Sequence, residues 1–185
     1  MISEFYDPEA RIETERLILR PLEESDALAI YRNINHDQEV LKYYLAPYIE
    51  NEEAASVADT VRICRNQKMY CFAIVLKEDN TVIGMLNQCS SPNRYMRTLE
   101  LGYAIGTAYW NHGYVTEALG AAIDFMFSRG IHKVTCCHIT ENTASGRVMQ
   151  KCGMVYDGIR REELFYHDQY WDTANYYALN PADEG

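Results

Sequence analysis

The stretch Leu99 to Leu119, LELGYAIGTAYWNHGYVTEAL, concentrates the residues whose order could do chemistry. It reads as a strand, a turn around Gly113 and a helix. The first turn of a helix leaves backbone N–H groups unpaired and carries the positive end of the helix dipole, which suits phosphate or pyrophosphate. Glycine at 113 lets a ligand approach the backbone and permits a positive φ. Many strand–turn–helix units bind nothing, so spacing alone leaves anion binding and a plain turn both open. Two phosphate-loop readings fail, because the chain has no GxxxxGK[ST] and no GxGxxG. It also has no CxxC pair and no HExxH, and its five histidines are scattered, so no metal site is expected. Cys136 and Cys137 are adjacent in a strand pattern and point to opposite faces, where they cannot easily share one ion. The six cysteines read as reduced thiols within apolar segments.

These residues need a scaffold, and the rest of the chain supplies one. Its 185 residues, 48% hydrophobic and 12% aromatic, suit a single compact domain and exclude a disordered tail. The apolar runs are far shorter than the roughly 18 residues of a membrane span. The opening MISEFYDPEARIETER is acidic and lacks the apolar centre of a secretory signal, so a cytoplasmic protein with no membrane partner is expected. A net charge of −10, from 17 basic and 27 acidic side chains, argues against nucleic-acid binding. The same balance fits attraction of a cationic substrate, or solubility alone.

Hydrophobic periodicity places a strand over Thr14 to Leu22, a helix from Ser25 and a second helix from about Glu52 to Arg65. KYYLAPYI, Lys42 to Ile49, resists assignment because Pro47 interrupts any helix. Tyr70 to Leu76 and Thr81 to Gln88 read as a hairpin turned by Glu78-Asp79-Asn80. The loop SSPNRYMR then leads to a strand over Thr98 to Ile105, and a helix is predicted over Thr116 to Arg129. Lys133 to Ile139 is a strand, Asn142 caps a helix to Lys151, and strands near Met154 to Leu164 and Gln169 to Ala178 end the chain. The fold class is therefore α/β (α+β), a mixed sheet flanked by helices.

Several motifs together carry a resemblance to a known family. YWNHGYVTEAL at 109–119 resembles the acetyl-CoA pyrophosphate loop of the GNAT superfamily, in the branch of ribosomal-protein N-terminal alanine acetyltransferases and related small-amine enzymes. LELGYAIG resembles that branch's central strand, NTASGRVMQKCG at 142–153 its second signature, and TERLILRPLEESDA its first strand and helix. The resemblance spans residues 13–179. It implies a single N-acetyltransferase domain over 13–179, between a 12-residue extension and a tail at 180–185. It also implies a mostly antiparallel central sheet of about seven strands. Two positions depart from the family pattern. Val115 stands where Gly or Ala is usual, and Met149 stands where many members carry a general-acid tyrosine.

The resemblance implies acetyl-CoA as co-substrate, no metal, and direct attack by a primary amine, either a protein N-terminus or a small molecule. A catalytically weak acyl-CoA-binding sensor is the alternative, and a homodimer through the tyrosine-rich segments is open. The cofactor would lie where strands 98–105 and 133–139 diverge. Backbone groups of Tyr103, Ala104 and Ile105 would hold its pantetheine arm. Those of Trp110, Asn111, His112, Gly113, Tyr114, Val115 and Thr116 would hold its pyrophosphate, with Asn142 nearby. Glu100 is on the strand face of Gly102 and Ala104, where a carboxylate beside small residues can act as base or simply pair with Arg97. Glu162 and Glu163 are alternative bases. Ser145 would protonate or hydrogen-bond the leaving thiolate, or else cap the helix that Asn142 opens. Tyr31, Tyr43, Tyr44 and Tyr48 either line an acceptor pocket or pack the core.

Overall fold

The computed structural model describes residues 5–90 and 97–183, so most of the SSPNRYMR loop lies outside the described residues. Eight strands form one sheet: β1 (Ile12–Glu13), β2 (Leu17–Pro21), β3 (Cys71–Leu76), β4 (Val82–Gln88), β5 (Thr98–Ile105), β6 (Lys133–Ile139), β7 (Val155–Tyr166) and β8 (Gln169–Leu179). Their spatial order is β1-β2-β3-β4-β5-β6-β8-β7. Every neighbouring pair is antiparallel except β5 and β6, which run parallel. A parallel pair needs a crossover, here the helix α4 (Tyr114–Ser128). The strand beyond the seven expected is the two-residue β1.

Alternation along the strands builds a core on each face. Phe72 and Ile74 of β3 join Leu99 and Leu101 of β5 under α4, whose Leu119, Ala122 and Met126 are buried. Truncating such a residue, as in Leu119→Ala, costs about 2–5 kcal/mol. On the other face Ala73 and Val75 of β3, with Ala104 of β5, pack against α1 (Ala27–Ile30), α2 (Gln38–Leu41) and α3 (Ala58–Gln67). The sheet is therefore covered on both sides, and β3 is buried at nearly every position for that reason.

Local details follow from side-chain chemistry. In the β3–β4 turn the Thr81 amide donates to Asp79 Oδ1 at 3.0 Å, with Asn80 left-handed at φ 60°. The stretch expected as one helix from Ser25 divides into a 3₁₀ turn at Glu24–Asp26, α1 and a π-turn at Tyr31–Asn35. Its entry is held by Asp26, buried and paired bidentately with Arg20 at 2.7 and 2.8 Å. The second helix expected from Glu52 is likewise two pieces, a 3₁₀ turn at Glu52–Ala54 and then α3. No helix among the described residues is long and apolar enough to cross a membrane. The six cysteines are free; Cys71 and Cys136 are buried and Cys89 is exposed.

Candidate active site

β5 and β6 are paired only at Thr98↔Lys133, Leu99↔Val134 and Glu100↔Thr135. Beyond Glu100, β5 stays registered with β4 as far as Ile105, and β6 with β8 as far as Ile139. Each strand is held by its outer neighbour while the inner edges part, which leaves a wedge in the sheet. Backbone direction alternates along β5. The Cys89 amide donates to the Glu100 carbonyl and the Gly106 amide to the Ile83 carbonyl, so the even-numbered residues turn toward β4. Leu101, Tyr103 and Ile105 therefore turn their backbone polar groups into the wedge. The expectation for Ala104 needs correcting. Its carbonyl faces β4 so closely that a Cβ on Gly84 would come within 2.2 Å, and its amide is turned the same way.

The loop after β5 ends in Gly113, left-handed at φ 80°, directly before α4. The helix starts at Tyr114, two residues earlier than its hydrophobic pattern predicts. Gly113 has no side chain to cap it, and among the described residues nothing accepts from the amides of Tyr114, Val115 or Thr116. Three free N–H groups at the positive end of a 15-residue helix can cradle a pyrophosphate. Val115 packs its side chain against the core beneath α4, which leaves the loop's ligand side to the backbone. Asn111 is left-handed at φ 63°. The Trp110 indole N–H donates to the Ile105 carbonyl at 3.0 Å, and His112 stacks on Tyr114.

Arg16 fastens this loop. It donates through Nη1 to the His112 carbonyl at 2.9 Å, through Nε to Glu117 at 2.7 Å, and lies over the Tyr114 ring. Glu117 also accepts from Thr14 Oγ1 at 2.6 Å and from the Arg16 amide at 2.8 Å. Burial raises the Glu117 pKa, but these hydrogen bonds and the Arg16 charge outweigh it and hold the carboxyl below its ordinary range.

Across the wedge on the α4 face, the Tyr103 hydroxyl meets Ser145 Oγ at 2.7 Å. Ser145 belongs to α5 (Thr143–Lys151), whose N-cap Asn142 accepts from the Ser145 amide at 3.3 Å. Burial dominates the Tyr103 phenol and raises its pKa despite the bond to Ser145, so the group stays protonated. Met149 is a core residue with 1% exposure.

The opposite face carries carboxylates. Glu100 is the last residue of β5 paired with β6, and the Cys137 thiol donates to its Oε1 at 3.2 Å. Burial, then the charges of Glu100 and Glu163, pushes the Cys137 thiol up to about 12, so it is a hydrogen-bond donor rather than a nucleophile at neutral pH. Arg97 is not the ion partner of Glu100; its guanidinium lies toward the Phe5 ring. Glu163 accepts from Thr173 and pairs with Arg160 at 2.7 Å. Glu162 is on a bulge, exposed, with its amide given to Asp172. Of the four tyrosines, Tyr44 donates to Asn87 Oδ1 at 3.2 Å. Tyr31 is buried, Tyr48 stacks on His36, and Tyr43 meets the edge of Trp171. Among the described residues no group of three His, Cys, Asp or Glu side chains could hold a metal ion.

The profile of the acetyltransferase (GNAT) domain matches residues 16–155, which include the wedge, the loop and both helices around it. The chain belongs to the GNAT acetyltransferase family. An uncharacterized N-acetyltransferase of Bacillus subtilis, YoaA, is 28% identical over 93% of this chain and 98% of its own. The ribosomal protein uS5 alanine N-acetyltransferase of Escherichia coli is 24% identical over 89% and 88%. In fold, a ribosomal L7/L12 α-N-protein acetyltransferase solved with coenzyme A superposes with a TM-score of 0.82. It is 18% identical and covers 94% of this chain and 100% of that one.

Within this GNAT domain, sequence reasoning missed three groups. Arg16 stood inside a quoted motif, but only the fold brings β2 to the loop. The Tyr103 phenol was passed over for its backbone. Cys137 reads in the sequence only as one of six reduced thiols, and its role as a donor to Glu100 has no local signature.

Proposed function

We propose that this GNAT domain, residues 13–179, moves the acetyl group of acetyl-CoA to a primary amine by direct attack in a ternary complex. The observation that carries the proposal is the wedge that opens at Glu100, with free amides at one end and a carboxylate on the far face. The amides of Tyr114, Val115 and Thr116, clamped by Arg16, would hold the pyrophosphate. Those of Tyr103 and Ile105 would hold the pantetheine arm and polarise the acyl carbonyl. Bound acetyl-CoA supplies an activated acyl group as a thioester. Glu100 takes the amine's proton. Ser145, bonded to the Tyr103 hydroxyl, keeps a proton on the sulfur side, and a thiol with ordinary pKa near ~8.5 needs little further help.

The acceptor we propose is the α-amine of a protein N-terminus. Two observations support it: the similarity to the uS5 alanine N-acetyltransferase, and a site face lined by Glu100 and Glu163 in a chain of net charge −10. Titration calorimetry with acetyl-CoA tests the cofactor, with micromolar binding competed by CoA expected. CoA release with Ala- or Ser-initiated peptides, compared with polyamines, tests the acceptor. Release with polyamines alone would replace the peptide reading with a small-amine one, and binding without release to any amine would leave an acyl-CoA sensor.

A further inference from the structure

The Tyr103 hydroxyl oxygen lies 2.7 Å from Ser145 Oγ and 3.2 Å from the Ser145 carbonyl oxygen. Both residues are half-buried at the wedge, Ser145 in the first turn of α5. Among the described residues Ser145 Oγ has no hydrogen-bond partner other than the phenol.

Two hydroxyls share two protons here, and a carbonyl can only accept, so the pair has two settings. In the first, the phenol donates to the carbonyl and Ser145 donates to the phenol oxygen. In the second, the phenol donates to Ser145 Oγ, and the Ser145 proton is left to point into the wedge. Rotation of two O–H bonds converts one into the other. Burial keeps the phenol protonated, so it acts as a hydrogen-bond donor and not as an acid. An anion in the wedge selects the second setting, because hydrogen bonds to charged acceptors are about twice as strong as neutral ones. Each donor in such a chain polarises the next, so a Ser145 hydroxyl that receives the phenol proton donates more strongly.

We infer that Tyr103 is a positioning residue for the leaving thiolate. Its hydroxyl turns from the Ser145 carbonyl to Ser145 Oγ and so directs the Ser145 proton onto the sulfur. The bond between acyl carbon and sulfur breaks with its electron pair on sulfur. No proton changes owner in that step, and the thiolate takes one from solvent afterwards. The same pair of hydroxyls stabilises the thiolate of bound CoA, which can be read without any acceptor amine. The inference deepens the role of Ser145 proposed above and rests on it.

The test titrates the thiol of bound CoA in wild type, Tyr103→Phe, Ser145→Ala and the double variant. The readout is the ultraviolet absorbance of the thiolate against the same protein without CoA. The ionisable groups around the pair, Cys136, Cys137, Cys152 and His138, are common to all four proteins. Phenylalanine keeps the ring in the core and removes only the hydroxyl. Tyr103→Phe should raise the thiol pKa by about half a pH unit and Ser145→Ala by about one, with the double variant no higher than Ser145→Ala. Fluorotyrosine at position 103, a stronger donor of nearly the same shape, should lower it, which no loss of packing would do. If Ser145→Ala raises the thiol pKa while both changes at 103 leave it as in wild type, the inference falls and the role of Ser145 stands. A Tyr103→Phe effect of equal size with and without Ser145 also overturns it, because the phenol would then act directly. If Ser145→Ala has no effect, the sulfur does not lie at Ser145 and both readings fall. A wild type that binds no CoA overturns the cofactor reading with them.

Discussion

The two faces of the sheet meet one gap with opposite chemistry. On the α4 and α5 face the groups are donors: free helix amides, the β5 amides that point into the wedge, and the Tyr103 and Ser145 hydroxyls. On the other face they are acceptors, Glu100 receiving the Cys137 thiol and Glu163 the Thr173 hydroxyl. A donor face suits an anionic cofactor and an acceptor face suits a cationic amine. Because the sheet lies between them, changes on one face should move one ligand and spare the other.

The largest separation is expected at Glu100. Glu100→Gln keeps the shape, and its amide can still accept from Cys137, but it cannot take a proton. We expect kcat/KM to fall about 10²- to 10⁴-fold with CoA affinity unchanged. Steady-state kinetics alongside calorimetry would check both halves, and undiminished turnover at every pH removes Glu100 as the base. Gly113→Val is the mirror experiment. A β-branched residue held at φ 80° strains the loop by about 1–3 kcal/mol. CoA binding should weaken about 10- to 100-fold, and most of the loss in rate should be recovered at saturating acetyl-CoA. If kcat falls as far as affinity does, the two faces are not separable.

The difference between the faces also explains what could be read from the sequence. The donor face is local. Residues 109–116 are contiguous and Asn142 is three residues from Ser145, so one helix start and one cap are each visible as a motif. The acceptor face is assembled from distant pieces: Tyr44, Asn87, Glu100, Cys137 and Glu163 come from a loop and four strands. Period-two alternation put Glu100 on the right face, but no local pattern says that Cys137 donates to it. The two-way backbone of β5 shows the same limit. A strand's amides alternate between neighbours, so Ala104 is committed to β4 while Tyr103 and Ile105 are not, and that depends on register. The split of the first helix into 3₁₀, α and π turns was hidden for a similar reason. Periodicity fixes the apolar stripe of Ile30, Tyr31 and Ile34, whereas the exact winding follows from how that stripe seats on the sheet.

A smaller effect tests whether the donor face depends on its fastening. Glu117→Gln removes the charge that binds Arg16 and Thr14. Arg16 is 43% exposed, so solvent screens the pair and the expected loss is about 1 kcal/mol of stability, with roughly threefold weaker CoA binding. The pH dependence has a definite sign. Because the Glu117 pKa is lowered by folding, its contribution is complete above the ordinary glutamate range and fades as pH falls through the lowered value. Melting curves of the two proteins should therefore differ at pH 7 and converge under acid. A constant difference at all pH values would mean that packing, not charge, holds the loop.

The smallest effect is expected at Glu163, and it bears on which carboxylate is the base. Burial raises the Glu163 pKa, but the Thr173 hydroxyl and the Arg160 guanidinium outweigh it and hold the carboxyl below its usual range. A lowered pKa makes a carboxylate a weaker proton acceptor, and its oxygens are already engaged. Glu163→Gln should then change kcat/KM by no more than about twofold, mainly through KM for a cationic acceptor and most visibly at low salt, where the lost charge is least screened. A hundredfold loss in kcat, larger than that of Glu100→Gln, would move the base from the mouth of the wedge to β7. The comparison of faces would survive that result, because both carboxylates lie on the same side of the sheet, but the path of the amine would have to run along β7 and β8 rather than over Glu100.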